Sequence, residues 1–323
     1  MSRSFPLGLV LSTVTAGAPQ AFVTLGRLAE AHGLDAVFVN EGKGDALACA
    51  QAIAAATSRL TVGTNIANIY FRHPFLTAAS LRTIAELSDG RLRVGFGVSH
   101  RGLLGSLGID MGDARETLRR YVATVQDGLA GRAGEGFLRQ PAVGVPAPVY
   151  VAANTLETAA VAGEVGDGLM PFLTPRSALP ALVAAARAAA ARAGRALDPC
   201  TCILSIPTFL SEDRAAARSA ARYNLAFFAL LPNYRRQWRR AGFADAMDAI
   251  RALGDGAGRR EVAALIPEAL VDEVCVFGTA DDCRAQLAAF HAAGADLPVI
   301  AVSPVNDERL AATRKAIVAL GGA

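Results

Sequence analysis

Amide, hydroxyl, imidazole and carboxylate side chains recur directly after the apolar, strand-like segments of this sequence. They are Ser12, Thr13, Asn40, Glu41, Asn65, Asn68, Ser99, His100, Asn154, Thr155 and Thr174. Amides match the donors and acceptors on the edge of a planar heterocycle, whereas a hydrolytic triad needs a nucleophile, a base and an orienting acid. The set therefore favours a site for a large planar polar ligand.

Two of these residues could transfer a proton. His100 follows Val98 and Ser99 directly after a strand-like run, and an imidazole titrates near neutral pH. Glu41 holds a comparable place after the second strand, although a solvated loop carboxylate would explain it equally well. His100 and Glu41 are the candidate catalytic residues.

Residues 154–158 (NTLET) precede a predicted helix and have two interpretations. In the first, Asn154 or Thr155 caps the helix and Glu157 reaches back to the backbone. In the second, the backbone N–H groups and the hydroxyls, including that of Thr158, bind a phosphate at the helix N-terminus. Both can hold at once.

Glycines at positions 95 and 97 resemble part of a dinucleotide-binding fingerprint. However, Gly95 lies inside a strand pattern and the next helix is expected only near Asp113, which does not fit a strand, a glycine turn and a helix in succession. Small residues in a strand instead let a ligand or a neighbouring backbone approach closely.

Eight apolar segments alternate with helical patterns, which predicts parallel strands joined by right-handed crossovers. The strands are predicted at residues 7–12, 36–39, 60–66, 92–98, 149–152, 169–172, 202–209 and 299–302. Glycine, usually with aspartate, separates helix from strand at residues 33–35, 89–90, 166–168 and 294–296. The repeated unit favours an α/β fold of the (β/α)8 TIM barrel type. An open doubly wound sheet is the alternative, but residues 12–18 lack the phosphate-binding glycines expected after its first strand.

The chain of 323 residues suits a single barrel domain covering residues 1–323. Residues 232–270 interrupt the alternation and are predicted to form a helical insertion between strands seven and eight. This insertion includes the basic and aromatic run 234–240 (YRRQWRR). The run could bind an anionic ligand tail, but a solvated helix face or a subunit contact is favoured.

Composition narrows the class of partners. A net charge of +3 gives no reason to expect nucleic-acid binding, and the lack of an apolar run of about 20 residues argues against a membrane span. The five cysteines lack paired zinc spacing and the four histidines are scattered, so no metal is predicted. We expect reduced thiols and a cytoplasmic location.

Several motifs resemble the bacterial luciferase-like monooxygenase superfamily, and within it the oxidoreductases that use the deazaflavin coenzyme F420, including methylenetetrahydromethanopterin reductase. They lie at residues 62–74 (VGTNIANIYFRHP), 86–91 (ELSDGR), 95–99 (GFGVS), 149–154 (VYVAAN), 162–168 (AGEVGDG), 277–279 (FGT) and 293–296 (AGAD). The resemblance spans nearly the whole chain, and residues 232–270 are covered least.

The resemblance implies a (β/α)8 barrel with a cis peptide bond between Asn65 and Ile66 behind a flavin ring. It assigns ring contacts to Glu41, Asn68 and Ile69. It also assigns phosphate and ribityl contacts to Val98, Ser99, Asn154, Thr155, Glu157 and Thr158. A homodimer is expected, because the family often dimerises.

Two departures from the family pattern narrow the substrate. Sugar-phosphate dehydrogenases of this branch carry Asp-His after strand two, where this chain has Glu41-Gly42, and a glutamate where His100 stands. That substrate class is therefore disfavoured, and the proton donor stays open between His100 and Glu41.

The prediction is hydride transfer between coenzyme F420 and a small organic substrate. The alternatives are an FMN-dependent monooxygenase with a separate flavin reductase, and a flavin-binding barrel without catalysis.

Overall fold

The computed structural model describes residues 3–14, 18–132, 139–254 and 256–322, in which strands alternate with helices. The strands are β1 (Gly8–Ser12), β2 (Ala36–Asn40), β3 (Thr61–Asn68), β4 (Leu92–Gly97), β5 (Val149–Val151), β6 (Gly168–Leu169), β7 (Ile203–Leu210), β8 (Val276–Gly278) and β9 (Leu297–Val302). The helices are α1 (Pro19–Ala31), α2 (Ala46–Ala56), α3 (Pro74–Leu87), α4 (Arg101–Ser106), α5 (Ala114–Leu129), α6 (Leu156–Val165), α7 (Leu179–Arg192), α8 (Arg214–Ala229), α9 (Pro232–Trp238), α10 (Ala244–Ala252), α11 (Arg259–Ala264), α12 (Glu268–Val274), α13 (Ala280–Ala292) and α14 (Arg309–Leu320).

The strands form one curled parallel sheet in the order β6-β5-β4-β3-β2-β1-β9-β7-β8. Two isolated parallel bridges, Leu169 to Cys202 and Phe172 to Ser205, connect the β6 segment with the β7 segment. The largest apolar cluster includes residues of both strands and helices, such as Leu9 and Ile53. The predicted parallel α/β architecture is confirmed, and the carboxyl ends of its strands meet at one edge.

Three elements differ from the sequence prediction. The sixth strand ends at Leu169 and does not reach Phe172, whose N–H donates to Asn154 Oδ1 at 2.9 Å instead of to a neighbouring strand. Strand β8 has three residues, too few to give a periodic pattern. The sequence does not predict helix α4, because the helix contains two glycines, which lower helix propensity.

Three of the four aspartates at the helix-to-strand junctions share one contact. Each of the three lies just before a strand and accepts the backbone N–H of a residue at, or directly before, the start of the neighbouring strand. The contacts are Asp35 with Leu7 N at 2.8 Å, Asp167 with Val149 N at 2.8 Å and Asp296 with Cys202 N at 2.9 Å. Aspartate at this place therefore satisfies a backbone group at the amino end of the sheet.

The glycine of the junction has more than one role. Gly33 has φ 72°, the left-handed conformation expected after a helix. Gly166 has φ −105°, so that expectation is wrong there. A Cβ at Gly166 would instead lie 2.8 Å from the carbonyl oxygen of Ala162. Close packing against the end of α6 explains this glycine.

Replacing Asp167 with alanine is expected to lower the free energy of unfolding by about 1–3 kcal/mol, because the Val149 N–H loses its acceptor. Asp167 also binds Arg195 at 3.0 Å and Gln126 at 3.3 Å. Urea denaturation measures the change. Asp127→Ala, which removes only an exposed pair with Arg132, is the control and should change stability by less than about 0.5 kcal/mol. Equal stability of both variants would contradict the junction role.

Residues 232–274 hold helices α9 to α12 between β7 and β8. These helices pack around the fully buried Trp238 in an apolar cluster shared with α8 and β8. In the described ranges no helix is long and apolar enough to cross a membrane. The same residues contain no group of three His, Cys, Asp or Glu side chains that could hold a metal ion.

Candidate functional site

The carboxyl end of β3 departs from regular strand geometry. The peptide bond between Asn65 and Ile66 is cis, as the resemblance implied, and the pairing of β3 with β4 shifts between Thr64 and Ala67. The two carbonyl groups here are bound from β2: Asn40 Nδ2 donates to Asn65 O at 3.4 Å and Glu41 N donates to Ile66 O at 3.2 Å. The end of β2 thus supports the irregular end of β3.

Glycines in β4 make room for this irregularity. A Cβ at Gly95 would overlap Met170 Sδ and lie 2.9 Å from the Thr64 carbonyl oxygen, while a Cβ at Gly97 would lie 2.8 Å from Ile66 Cδ1. The close approach is made by the backbone of β3 and by the side chains of Ile66 and Met170, which confirms the prediction of close backbone approach at Gly95.

Two amide donors at the end of β3 are buried without a partner. Asn65 is 7% exposed and Asn68 is 4% exposed, and neither Nδ2 atom has a hydrogen-bond partner among the described residues. Asn68 Oδ1 accepts the N–H of Tyr70 at 3.0 Å. Because buried polar groups are normally paired, these two donors point to a ligand that supplies acceptors.

Glu41 is bound on both carboxylate oxygens. Its Oε2 accepts the Asn68 N–H at 2.7 Å, and its Oε1 lies 2.6 Å from Arg72 Nη2, with the Glu41 side chain only 3% exposed. Burial alone would lower the pKa of Arg72, but the carboxylates of Glu41 and Asp45 raise it. A carboxylate that is buried and paired in this way is better placed to stabilise the end of β3 than to transfer a proton. The catalytic assignment of Glu41 stays a prediction.

The residues directly after β3, Ile69 and Tyr70, contact β4 and the loop that follows α4. Ile69 is buried and its N–H donates to Gly97 O at 3.1 Å. The Tyr70 hydroxyl donates to the Met111 carbonyl oxygen at 2.6 Å, and burial raises the pKa of Tyr70. The loop around Met111 is therefore fixed beside the end of β3.

Val98, Ser99 and His100 lead from β4 into α4. Val98 is half-buried, whereas Ser99 and His100 are exposed. Ser99 has φ 58°, and His100 Nδ1 accepts the Leu103 N–H at 3.2 Å as the cap of α4. Histidine caps α3 in the same way, through His73 Nδ1 and Phe75 N, which confirms the helix-start interpretation of His73. Catalysis by His100 stays a prediction.

The loop from β5 to α6 contains one of the two predicted caps, but a different residue reaches back to it. Thr155 caps α6 and Thr158 reaches back to the Thr155 N–H at 3.1 Å. The expectation that Glu157 reaches back is wrong, because Thr158 is the third helical residue after the cap. Asn154 instead ties β5 to the β6 segment through Phe172 N.

Glu157 is exposed and points to Arg240, whose Nη1 lies 3.3 Å from Glu157 Oε2. Its own backbone N–H lowers the pKa of the Glu157 carboxyl most, followed by the Thr155 hydroxyl and then by the charges of Arg240 and Arg115. This pair brings the run 234–240 to the N-terminus of α6. The phosphate-binding roles of Asn154, Thr155, Glu157 and Thr158 stay predictions.

An aromatic cluster that the sequence does not predict lies beyond β6. The rings of Phe172, Phe228 and Tyr234 contact one another edge to face, with centroids 5.2–6.3 Å apart. The interpretation of residues 234–240 as a solvated face is right for the exposed Arg236 and wrong for Trp238, which is buried. The spacing of four residues between Tyr234 and Trp238 places both rings on one face of a helix, and this spacing could have indicated a buried aromatic face.

Strand order, the end of β3 and its buried amides can now be compared with known proteins. The family model for luciferase-like monooxygenases matches residues 6–297. The chain belongs to the luciferase-like monooxygenase family. The match confirms the resemblance on which the site residues were assigned.

Proteins that act with different cofactors are similar to this chain. The 5,10-methylenetetrahydromethanopterin reductase of Methanolobus tindarius is 26% identical over 91% of this chain and 92% of its own. The solved coenzyme F420 dependent tetrahydromethanopterin reductase of Methanopyrus kandleri has a TM-score of 0.74 at 19% identity, covering 98% of this chain and 97% of that chain. The oxygenating component of 3,6-diketocamphane monooxygenase from Pseudomonas putida, solved with FMN, has a TM-score of 0.68 at 16% identity, covering 99% and 97%.

Proposed function

We propose that this protein is an oxidoreductase that binds coenzyme F420 and transfers a hydride between it and a small organic substrate. The observation that supports this most directly is the pair of buried, unpartnered amide donors on Asn65 and Asn68. A deazaflavin ring presents carbonyl acceptors along one edge. The similarity to a putative coenzyme F420-dependent oxidoreductase of Mycobacterium tuberculosis, 27% identical over 96% of this chain, favours it over other planar ligands.

The residues at the site fit both the ring and the phosphate of such a cofactor. Asn65 and Asn68 would hold the ring edge, with Ile66 and Ile69 beside it. At the other end, the Thr155 and Thr158 hydroxyls already satisfy each other's backbone groups. A phosphate would therefore be held mainly by the remaining backbone N–H groups at the start of α6, next to Val98 and Ser99.

The bound deazaflavin would supply the hydride chemistry, and the protein would supply orientation and a dry environment. The aromatic cluster of Phe172, Phe228 and Tyr234 forms an apolar surface that would exclude water from a small organic substrate. His100 is the proposed proton donor because it is exposed at the end of β4, whereas Glu41 is fully bound. Holding the two reacting carbons close together would account for much of the rate.

The test is a turnover assay with reduced and oxidised F420 against a panel of small alcohols, ketones, imines and enones, followed by cofactor absorbance. We expect at least one substrate class to change the cofactor's oxidation state in a protein-dependent manner. His100→Gln should lower kcat more than it raises KM if His100 donates the proton. Binding of F420 without turnover over the whole panel would favour the non-catalytic alternative.

The similarity to the FMN-bound monooxygenase component supports the second candidate, an FMN-dependent monooxygenase supplied by a separate flavin reductase. In that case reduced FMN and oxygen, rather than F420, would support turnover. A homodimer, a cytoplasmic location and the description of residues 232–270 as an insertion into a complete eight-stranded barrel belong to the proposal as well.

A further inference from the structure

We propose that Arg72 is a positioning residue for cofactor binding, which acts through Glu41 on Asn68. The identity of the ligand in this proposal depends on the proposed function, whereas the positioning of Asn68 does not. Arg72 belongs to no predicted set of ligand contacts. Its effect would be transmitted through the Glu41 carboxylate to the backbone of Asn68, whose side chain offers a buried amide donor.

The first step is the contact between Arg72 and Glu41. Arg72 Nη2 lies 2.6 Å from Glu41 Oε1 and 2.6 Å from Asp45 Oδ1. The Arg72 side chain is 15% exposed and that of Glu41 is 3% exposed. Since the Glu41 carboxylate is nearly without solvent, Arg72 is the charge that pairs with it and holds it in place.

The second step is the contact between Glu41 and Asn68. Glu41 Oε2 accepts the Asn68 N–H at 2.7 Å, and Asn68 lies where β3 leaves the sheet. The hydrogen bond of an N–H to a carboxylate is stronger than one to a neutral acceptor. The ion pair thus fixes the backbone at the last residue of β3.

The third step is the orientation of the Asn68 amide. With the Asn68 backbone fixed, its Oδ1 accepts the Tyr70 N–H at 3.0 Å, so the amide group can turn only one way. Its Nδ2 is then left as a donor that is buried and has no partner among the described residues. Arg72 and Glu41 together therefore set the direction of a donor that neither residue touches.

The experiment uses the full chain labelled with ¹⁵N-asparagine, since its seven asparagines give a sparse amide spectrum. In the cofactor-free protein, Arg72→Gln should shift the Asn68 backbone amide resonance and speed its hydrogen exchange at least about tenfold. Affinity for F420, measured by fluorescence titration, should fall about tenfold to a hundredfold, as for groups that orient metal ligands. Arg72→Lys, which keeps the charge, should recover part of both effects.

Arg176→Gln is the matched control, because Arg176 lies 3.3 Å from Glu273, whose other oxygen accepts the Ser177 N–H at 2.8 Å. Arg176→Gln should change neither the resonance and hydrogen exchange of the Asn68 backbone amide nor the affinity for F420. If Arg72→Gln does not fold, Arg72→Lys is compared with the wild type in its place. An Asn68 amide unchanged by substitution of Arg72 would overturn the proposal, even with weaker binding. If the wild type fails to bind F420, the proposed function fails while the amide measurement still decides the positioning role.

Discussion

Replacing Asn68 with aspartate is expected to weaken F420 binding by about tenfold or more, because a buried donor becomes an acceptor and the ligand's carbonyl group loses its partner. Aspartate has the same shape and keeps the oxygen that accepts the Tyr70 N–H. Asn68→Ala removes the donor without adding charge and should also weaken binding. Fluorescence titration of the purified variants measures both dissociation constants.

The control for this change is Gln51→Glu, the same amide-to-carboxylate replacement on the exposed surface of α2. It should leave the dissociation constant of F420 unchanged. Urea denaturation of the cofactor-free variants checks that Asn68→Ala leaves the protein folded. A folded Asn68→Ala variant that binds F420 as tightly as the wild type would show that the unpartnered donor does not contact the cofactor.

Replacing Gly63 with alanine is expected to lower the free energy of unfolding by more than about 4 kcal/mol. A Cβ at this position would overlap the carbonyl oxygen of Arg93, with which Gly63 is in register between β3 and β4. A backbone atom in the middle of a sheet cannot move aside without breaking the ladder. Urea denaturation, or the yield of soluble protein if the variant does not fold, measures the loss.

Gly105→Ala provides the matched control, since a Cβ at Gly105 would meet no atom within 4 Å. Alanine also has the higher helix propensity in α4, so stability should stay equal or rise slightly. If Gly63→Ala unfolds at the same urea concentration as the wild type, the close approach of β3 and β4 is not required for the fold.

The sequence was sufficient for the parallel α/β architecture because alternation of strand and helix repeats along the chain. The aspartate and glycine junctions could be located from sequence, although the contact that three of them share, as between Asp296 and Cys202 N, became visible only in three dimensions. Short elements such as β8 carry too few residues for a periodic signal.

The site was only partly predictable, since contacts between distant segments decide what each side chain can do. Glu41 and His100 were indistinguishable as proton donors in the sequence. In the structure Glu41 is buried against Arg72, 31 positions further along, and His100 is exposed. Likewise, nothing in the local sequence of Phe172 indicates that it packs on Phe228 and Tyr234.

The most direct test of the proposed function is a competition titration of the wild-type protein with F420 and FMN. Cofactor fluorescence and absorbance would be followed while each is added to the cofactor-free chain, and then while one displaces the other. The proposal predicts saturable binding of one F420 per chain, with FMN displaced by F420. Preferential binding of FMN, with no displacement by F420, would contradict it.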